Sequence, residues 1–217
     1  MARPARKPRK SYHHGDLRNA LLTAAREVLE ERGPSFLGLR EISRRVGVSA
    51  PSAYHHFPSR DAIALGLAEQ GATELAACLA AAPPNAGGSL LTYGEAYVAF
   101  VRANPALYRL MFGEGFPEVS QHSTAIRALR TRSYEIMKAS LEPRLPASEL
   151  PIAGLFLWAL VHGLGLLLVD RQIVRDGDLE DIIRRVLTLA GTGLLHGRGH
   201  DDGKSGPPSP RPGKRSA

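Results

Sequence analysis

The residue types best suited to binding chemistry stand close together between positions 40 and 57, in the sequence REISRRVGVSAPSAYHHF. Guanidinium groups pair with guanine edges or phosphates, and serine, tyrosine and histidine side chains donate hydrogen bonds to phosphate oxygens. Small residues such as Ala50 and Ser52 would let a helix approach base edges closely. This combination indicates contact with nucleic acid, and a plain helical hairpin with solvated charges is the alternative. The candidate contacts are Arg40, Ala50, Ser52, Tyr54, His55, His56 and Arg60.

A second set of residues could bind a small molecule in the carboxyl-terminal half of the chain. Trp158 and His162 are four residues apart, so on a helix they would share a face and present an aromatic wall with a hydrogen-bonding tip. Taken singly, a histidine or an aromatic residue on an apolar helix is typical of a hydrophobic core. Taken together, these residues favour a pocket for an apolar or aromatic effector. The predicted effector-binding residues are Tyr97, Phe100, Tyr108, Met111, Phe112, Met137, Trp158 and His162.

Catalytic and metal-binding arrangements are not visible in the sequence. There is no Ser-His-Asp or paired-carboxylate spacing, and the adjacent histidines at 13–14 and 55–56 would not share a helix face, which disfavours a metal site. The single cysteine, Cys78, excludes an internal disulfide and a cysteine-based zinc site, and it indicates a reducing compartment such as the cytoplasm. We therefore predict neither an enzyme activity nor a cofactor.

Helices must position these groups, because apolar residues recur at helical spacing along the chain and no stretch sustains a period of two. Leu17, Leu21 and Val28 share one stripe. Gly47 stands where a left-handed residue ends a short helix, and Ser49 is placed to cap the next one. The sequence predicts an all-α fold, with helices at about 16–32, 39–46, 50–57, 59–81, 88–103, 105–113, 119–142, 148–170 and 178–196.

The net charge of +7 is concentrated in the first quarter of the chain. Residues 1–60 contain 12 Lys+Arg against 5 Asp+Glu, a net charge of +7, whereas residues 61–196 contain 11 against 14, a net charge of −3. A basic module on a mildly acidic body is typical of a nucleic-acid-binding domain joined to a separate partner domain. The two ends, 1–15 and 197–217, lack apolar periodicity, and we predict a basic flexible arm and a disordered tail there.

One predicted helix is apolar on every side. Residues 150–169 carry only His162 as an ionisable group and have the length of a membrane span. No positively charged flank stands out, and such a helix can equally occupy the centre of a soluble dimer. We therefore predict no membrane partner and a homodimer formed by the helices at about 148–170 and 178–196, with Leu157 and Leu166 at the interface.

The stretch from Asp16 to about Leu75 resembles the DNA-binding domain of the tetracycline-repressor (TetR) family of bacterial regulators. The resemblance rests on ALLTAAREVLEERG at 20–33 and LREISRRVGVSAPSAYHHFPSRDAI at 39–63, above all on the spacing of its Tyr, Phe and Ser-Arg residues. It implies that residues 50–56 form the recognition helix, that Arg40 contacts the groove, and that Tyr54 and Arg60 anchor phosphates. It also adds Ser49 and Pro51 to the candidate DNA contacts.

The rest of the chain resembles a regulatory domain of a subset of this family, named for a Trp-His-Gly signature. The match consists of WALVHG at 158–163 and NPALYRLMFG at 104–113. It implies a helical ligand pocket and dimerisation through the last two helices. We accordingly predict a DNA-binding domain at 16–76, with its helix-turn-helix at about 39–58, and an effector-binding and dimerisation domain at 77–196.

Together these observations predict a cytoplasmic, homodimeric transcription regulator. It would repress by binding a palindromic operator in double-stranded DNA, and a small effector would release it. Two alternatives stay open: a non-specific nucleoid-type DNA-binding protein, and a helical lipid carrier or enzyme whose basic arm is incidental.

Overall fold

The computed structural model describes residues 14–82, 89–112, 123–173 and 178–196. Within these ranges the chain is helical and contains no strand, which confirms the predicted fold class. The predicted tail and the arm up to residue 13 lie outside the described residues. The described helices are α1 (His14–Arg32), α2 (Leu39–Val46), α3 (Ala50–His56), α4 (Arg60–Ala81), α5 (Ser89–Ala103), α6 (Pro105–Phe112), α7 (Thr124–Ala139), α8 (Leu150–Val169) and α9 (Leu179–His196), with one 3-10 turn at Pro34–Phe36.

Residues close in sequence determine where α2 ends and where α4 begins. Gly47 follows α2 with a φ of 78°, in the left-handed region that a side chain would strain, and its amide donates to the carbonyls of Ser43 and Arg44. The Ser59 hydroxyl accepts a hydrogen bond of 3.1 Å from the Ala62 amide and so caps α4. Gly47 therefore sets the end of α2, and Ser59 sets the start of α4.

The core of the first four helices holds the turn in place. Ile42, Ala53 and Phe57 are buried at the centre of the helix-turn-helix. Val46 and Val48 pack against this core but are only partly buried. Because Ala53 faces inward, the opposite side of α3 is presented to solvent.

Helix α4 joins the two halves of the chain. It packs against α1 at one side and against α5, α6 and α7 along its length, while α5 packs in turn against α8 and α9. The buried residues form one cluster that extends from Leu21 to Leu187. The proposed domain boundary at 76/77 falls inside α4, so this helix contributes to both domains.

Helix α7 is shorter than the predicted segment 119–142. The Ser123 hydroxyl accepts a hydrogen bond of 3.3 Å from the Ile126 amide and sets the first turn, and residues 119–122 lie outside the described ones. At the other end the helix gives way to turns from residue 140, ahead of Pro143 and Pro146. The prolines end the helix because they cannot donate the next backbone hydrogen bonds.

The apolar helix α8 has a buried side and an exposed side. Leu157 is fully buried in the core of its own chain, so the prediction that it lies at a dimer interface is wrong; Leu166 is half-buried. Ile152 is 68% and Leu155 is 58% exposed on the other side. Among the described residues α8 alone has the length and apolarity of a membrane span, and 28% of its apolar window is buried. Core helices of soluble proteins pass the same test.

Candidate DNA interface and effector site

Helix α3 is held at its start by two serine hydroxyls. Ser49 Oγ accepts a hydrogen bond of 3.3 Å from the Ser52 amide and lies 2.7 Å from Ser52 Oγ. Pro51 stands in the first turn, where its missing amide proton costs no intrahelical bond. Two of the predicted DNA contacts, Ser49 and Ser52, therefore already shape the end of the helix that would approach the DNA.

The predicted DNA-contact residues lie on α2, on α3 with its cap, and at the start of α4. Six of the nine candidates are exposed: Arg40, Ser49, Pro51, Tyr54, His55 and Arg60. The other three, Ala50, Ser52 and His56, are partly buried. The contacts of all nine with DNA remain predictions.

Arg60 is oriented by the backbone of the turn between α1 and α2. Its Nη2 donates a hydrogen bond of 2.9 Å to the carbonyl oxygen of Pro34, in the 3-10 turn that follows α1. The side chain remains exposed, so its other guanidinium protons face solvent. A guanidinium held in this way at the first residue of α4 is suited to a phosphate on the flank of a bound duplex.

The charged network behind α2 is a feature that the sequence reasoning missed. Arg45 binds Glu31 of α1 at 2.6 Å and Glu41 at 3.3 Å, and Arg44 binds Glu41 at 2.8 Å. The hydrogen bonds from Arg44 and then Arg45 lower the pKa of Glu41 to about 2. The spacing of Glu41 to Arg44 and Arg45 is a recognisable helical pattern, whereas the partner on α1 has no local signal.

The predicted effector residues include a hydrogen-bonded cluster from three helices. Tyr108 Oη of α6 lies 2.8 Å from His162 Nδ1 of α8 and 3.1 Å from Tyr97 Oη of α5. Tyr97 Oη lies 3.3 Å from the same imidazole nitrogen. Both tyrosines are fully buried, and His162 is half-buried. The two tyrosine hydroxyls and His162 Nδ1 therefore satisfy one another.

Aromatic rings enclose this cluster. Trp158 stacks on His162 with an interplanar angle of 16° and a centroid distance of 6.2 Å, as expected for two residues on one helix face. The ring of Phe112 meets His162 edge to face at 4.8 Å, and the ring of Tyr97 meets Trp158 in the same way at 6.4 Å. We call Tyr97, Tyr108, Phe112, Trp158 and His162 the sensor cluster.

Burial keeps the sensor cluster uncharged. It lowers the pKa of His162, and the positive charge of Arg130 lowers it further. Burial also raises the pKa of Tyr97, to about 12, and that of Tyr108. The cluster consequently consists of neutral hydrogen-bonding groups at neutral pH, which suits an apolar ligand with a polar end.

Close packing of α6 on α8 depends on a glycine. A Cβ atom at Gly165 would lie 2.7 Å from Tyr108 Oη, closer than a Cβ carbon comes to such an atom. At Gly163, in the Trp-His-Gly sequence, a Cβ atom would meet nothing of the chain within 4 Å. The two neighbouring glycines therefore serve different purposes, and only Gly165 makes room for the sensor cluster.

Three predicted effector residues lie in the general core. Phe100, Met111 and Met137 are buried, and none of them makes a ring contact with the sensor cluster in the described residues. The sequence reasoning missed Arg130 of α7, whose guanidinium lies 5.2 Å from the centre of the Phe112 ring and donates to the Met111 carbonyl at 2.9 Å. It also missed Tyr134, whose ring meets Trp158 at 6.3 Å. Only tertiary packing brings these positions to the cluster.

A buried helix-turn-helix core, an exposed α3 and further helices that pack against α4 are typical of DNA-binding transcription regulators. The family model for bacterial regulatory proteins of the tetR family matches residues 21–67, and that for the tetracycline repressor-like carboxyl-terminal domain matches residues 90–190. The chain belongs to the TetR family of bacterial transcription regulators. Members of this family bind operator DNA. The Trp-His-Gly subtype remains a prediction.

Individual relatives agree with this assignment. The chain is 30% identical over 178 residues to the HTH-type transcriptional regulator YobS of Bacillus subtilis, covering 81% of this chain and 91% of YobS. It is 26% identical to the HTH-type transcriptional activator FasR of Mycolicibacterium smegmatis, covering 82% and 83%. A solved structure of a Rhodococcus sp. RHA1 protein superposes with a TM-score of 0.71 at 27% identity, covering 87% of this chain and 98% of that one.

Proposed function

We propose that the protein is a cytoplasmic, homodimeric repressor that binds a palindromic operator and leaves it when a small apolar or aromatic molecule occupies the sensor cluster. The observation that carries the proposal is the presentation of α3. Its inner face is buried through Ala53, while Tyr54 and His55 face solvent beside the exposed Arg40 of α2. A recognition helix presented in this way fits the major groove of B-DNA.

The roles of the candidate DNA contacts follow from their positions. Arg40, in the first turn of α2, would read a guanine through its O6 and N7 atoms. Ala50 and Ser52 are small enough for α3 to come close to base edges. Tyr54 and Arg60, which lie on either side of the turn into α4, would hold phosphates and set the register of the protein on the duplex.

The exposed side of α8 and α9 supports the proposed homodimer. The large apolar residues Ile152, Leu155, Phe156, Leu167 and Leu189 are between 41% and 73% exposed. An apolar surface of this kind is unusual on a monomer and typical of an interface. Gly163 of α8 and Gly193 of α9 have open space beside them, so helices of a second copy could approach closely there.

A pair of substitutions separates the interface from the core. Leu155→Glu places a charge on the exposed side, so we expect a folded monomer by light scattering with an unchanged helical circular dichroism spectrum. Leu157→Glu places the same charge in the core and should unfold the chain. A buried unpaired carboxylate lowers the free energy of unfolding by about 3 kcal/mol or more. A folded dimer from Leu155→Glu would refute this interface.

Footprinting on DNA bound by the protein tests the proposed function directly. We expect one sharply protected segment with two-fold symmetric half-sites about one helical turn, roughly 34 Å, apart, since each copy of a symmetric dimer reads one half-site. Uniform protection along the DNA would instead support a non-specific nucleoid-type protein. Loss of the footprint when a screened aromatic compound quenches Trp158 fluorescence would support release by an effector.

A further inference from the structure

Charged residues in the last turns of α1 bind α4 and α6 on one side and α2 on the other. Arg26 and Glu30 are four residues apart and share one edge of the helix, and Glu27 and Glu31 share the adjacent edge. The first edge contacts α4 and α6, and the second contacts Arg45 of α2. Helix α1 therefore lies between the helix-turn-helix and the regulatory domain and binds both through charged groups.

Glu30 caps α6 from another helix. Its Oε2 accepts a hydrogen bond of 3.4 Å from the Ala106 amide, and its Oε1 accepts one of 3.3 Å from the Leu107 amide. First-turn amides have no partner within their own helix, and a negative charge at that end is favoured by the helix dipole. The beginning of α6 is therefore stabilised by a carboxylate that belongs to the DNA-binding half of the chain.

The residue expected to cap α6 is engaged elsewhere. Asn104 directly precedes Pro105, a position where an asparagine oxygen usually accepts the first amides of the helix. Its Oδ1 instead accepts a hydrogen bond of 2.6 Å from Arg26, and its Nδ2 donates to the Phe100 carbonyl. Arg26 also binds both carboxylate oxygens of Glu74 in α4 at 3.1 Å. Arg26 thus keeps Asn104 away from α6, and Glu30 takes its place.

The same short helix reaches the sensor cluster with its later residues. Tyr108 is two residues beyond Ala106 and binds His162, and Phe112, the last residue of α6, contacts the same imidazole ring. A helix of eight residues is only about 12 Å long, and its backbone hydrogen bonds connect the turn with Ala106 to the turn with Tyr108 and Phe112. A shift of Tyr108 or Phe112 on ligand binding would consequently displace the amides that Glu30 holds.

The adjacent edge of α1 connects to the recognition unit. Glu31 binds Arg45 through two hydrogen bonds, of 2.6 and 3.0 Å, and Glu27 lies 3.9 Å from the same guanidinium. Arg45 belongs to α2, which also carries the exposed Arg40. A movement of the end of α1 would therefore reorient α2 relative to the DNA.

We infer that α1 couples effector binding to DNA binding in this protein, with Glu30 as the positioning residue that connects the start of α6 to the helix-turn-helix. The inference rests on the proposed function, because it links the proposed effector site to the DNA surface. Coupling between two sites is reciprocal, so operator binding must change the affinity of the sensor cluster for an effector by the same factor by which the effector changes operator affinity. If α1 carries this coupling by moving α6, operator binding should also change the surroundings of Trp158. The connection can therefore be tested before any effector is known.

Trp158 is the only tryptophan of the chain and lies in the sensor cluster, so its fluorescence reports on that site. The probe is an operator duplex selected from a random pool by the wild-type protein. We expect the duplex to change the emission and the acrylamide quenching of Trp158 in the wild type. We expect Glu30→Gln to fold and to bind the duplex, but this change should fall by more than half, and the amides of 106 and 107 should exchange hydrogen faster.

Two further variants keep the test decisive. Glu142→Gln, at an exposed position in the turn after α7, is the matched control and should retain the full response of Trp158. Arg26→Gln releases Asn104, which can then cap α6 locally, so this variant should stay folded and also lose more than half of the response. If Glu30→Gln does not fold, Arg26→Gln provides the test instead.

The outcomes separate the inference from the proposed function. An unchanged Trp158 response in folded Glu30→Gln or Arg26→Gln would overturn the role of α1, and so would a wild type that binds its operator without any response. A wild type that selects no sequence at all would overturn the proposed function itself, and the coupling with it.

Discussion

The DNA surface and the sensor cluster are built from opposite kinds of interaction. Around α2 and α3 the cationic side chains are exposed, as at Arg40 of α2 and Arg60 at the start of α4. In the sensor cluster the polar groups are buried and neutral, as in the bonds among Tyr97, Tyr108 and His162. A polyanion is best met by cations that remain in water, whereas an apolar ligand is best met by desolvated groups that are already satisfied. Each region therefore has the electrostatics that its proposed partner requires.

The largest expected effect is a loss of stability when a methyl group is added at Gly165, inside the sensor cluster, and not at Gly163 nearby. Gly165→Ala places a methyl group against the buried Tyr108 ring and should destabilise the chain by about 1–3 kcal/mol in urea unfolding. Gly163→Ala is the matched control, because nothing of the chain lies within 4 Å of the added carbon and alanine favours helix by about 1 kcal/mol.

Gly163→Ala also tests the proposed homodimer. If a helix of the second copy packs against Gly163, the dimer of this variant should dissociate more readily than that of the wild type, although its monomer should be at least as stable. Equal loss of monomer stability in both glycine variants would contradict the different surroundings assigned to them.

A smaller effect is expected in the pH dependence of stability, which should differ between His162 of the sensor cluster and Glu41 of α2. The pKa of His162 is lowered from 6.5 in the folded chain, so its contribution to stability is present above that pH and is lost as the pH falls through the folded value. The pKa of Glu41 is lowered from 4.5 to about 2, so its contribution is lost only between those values. The sensor cluster should therefore weaken first on acidification.

Unfolding measured by circular dichroism across this range checks the order. His162→Gln should flatten the pH dependence just below 6.5 and leave the more acidic part unchanged, whereas Glu41→Gln should do the reverse. Flattening of the same pH interval by both variants would contradict the assignment of His162 and Glu41 to different pH ranges.

The DNA surface could be predicted from the sequence because its determinants are local. Gly47 and Ser49 act on residues within one helical turn, so their spacing alone predicts the ends of α2 and α3. The bond between Tyr108 and His162 joins positions 54 residues apart, and the sequence could propose these residues but not their contact.

Two features could not be predicted from the sequence: the face of α8 that its own chain covers, and the residue that caps α6. A helix that is apolar on every side does not reveal which face its own chain covers, and for this reason Leu157 was assigned to the wrong side of α8. The capping of α6 by Glu30 was missed for a related reason. Asn104-Pro105 is a sufficient local cap, and only the tertiary position of Arg26 diverts it.

The central claim is that this chain reads an operator through α2 and α3, with Arg40 contacting a base and Arg60 contacting a phosphate. Selection of bound duplexes from a random pool, with the wild type and with Arg40→Ala and Arg60→Ala, tests it most directly. Loss of a bidentate base contact costs about 1–3 kcal/mol at one position, and loss of a phosphate contact lowers the salt slope by about one for all sequences. We predict that Arg40→Ala changes the selected sequence at paired positions of the two half-sites. Arg60→Ala, and more mildly Tyr54→Phe, should weaken binding without changing the sequence. A consensus altered by Arg60→Ala and left intact by Arg40→Ala would contradict the account.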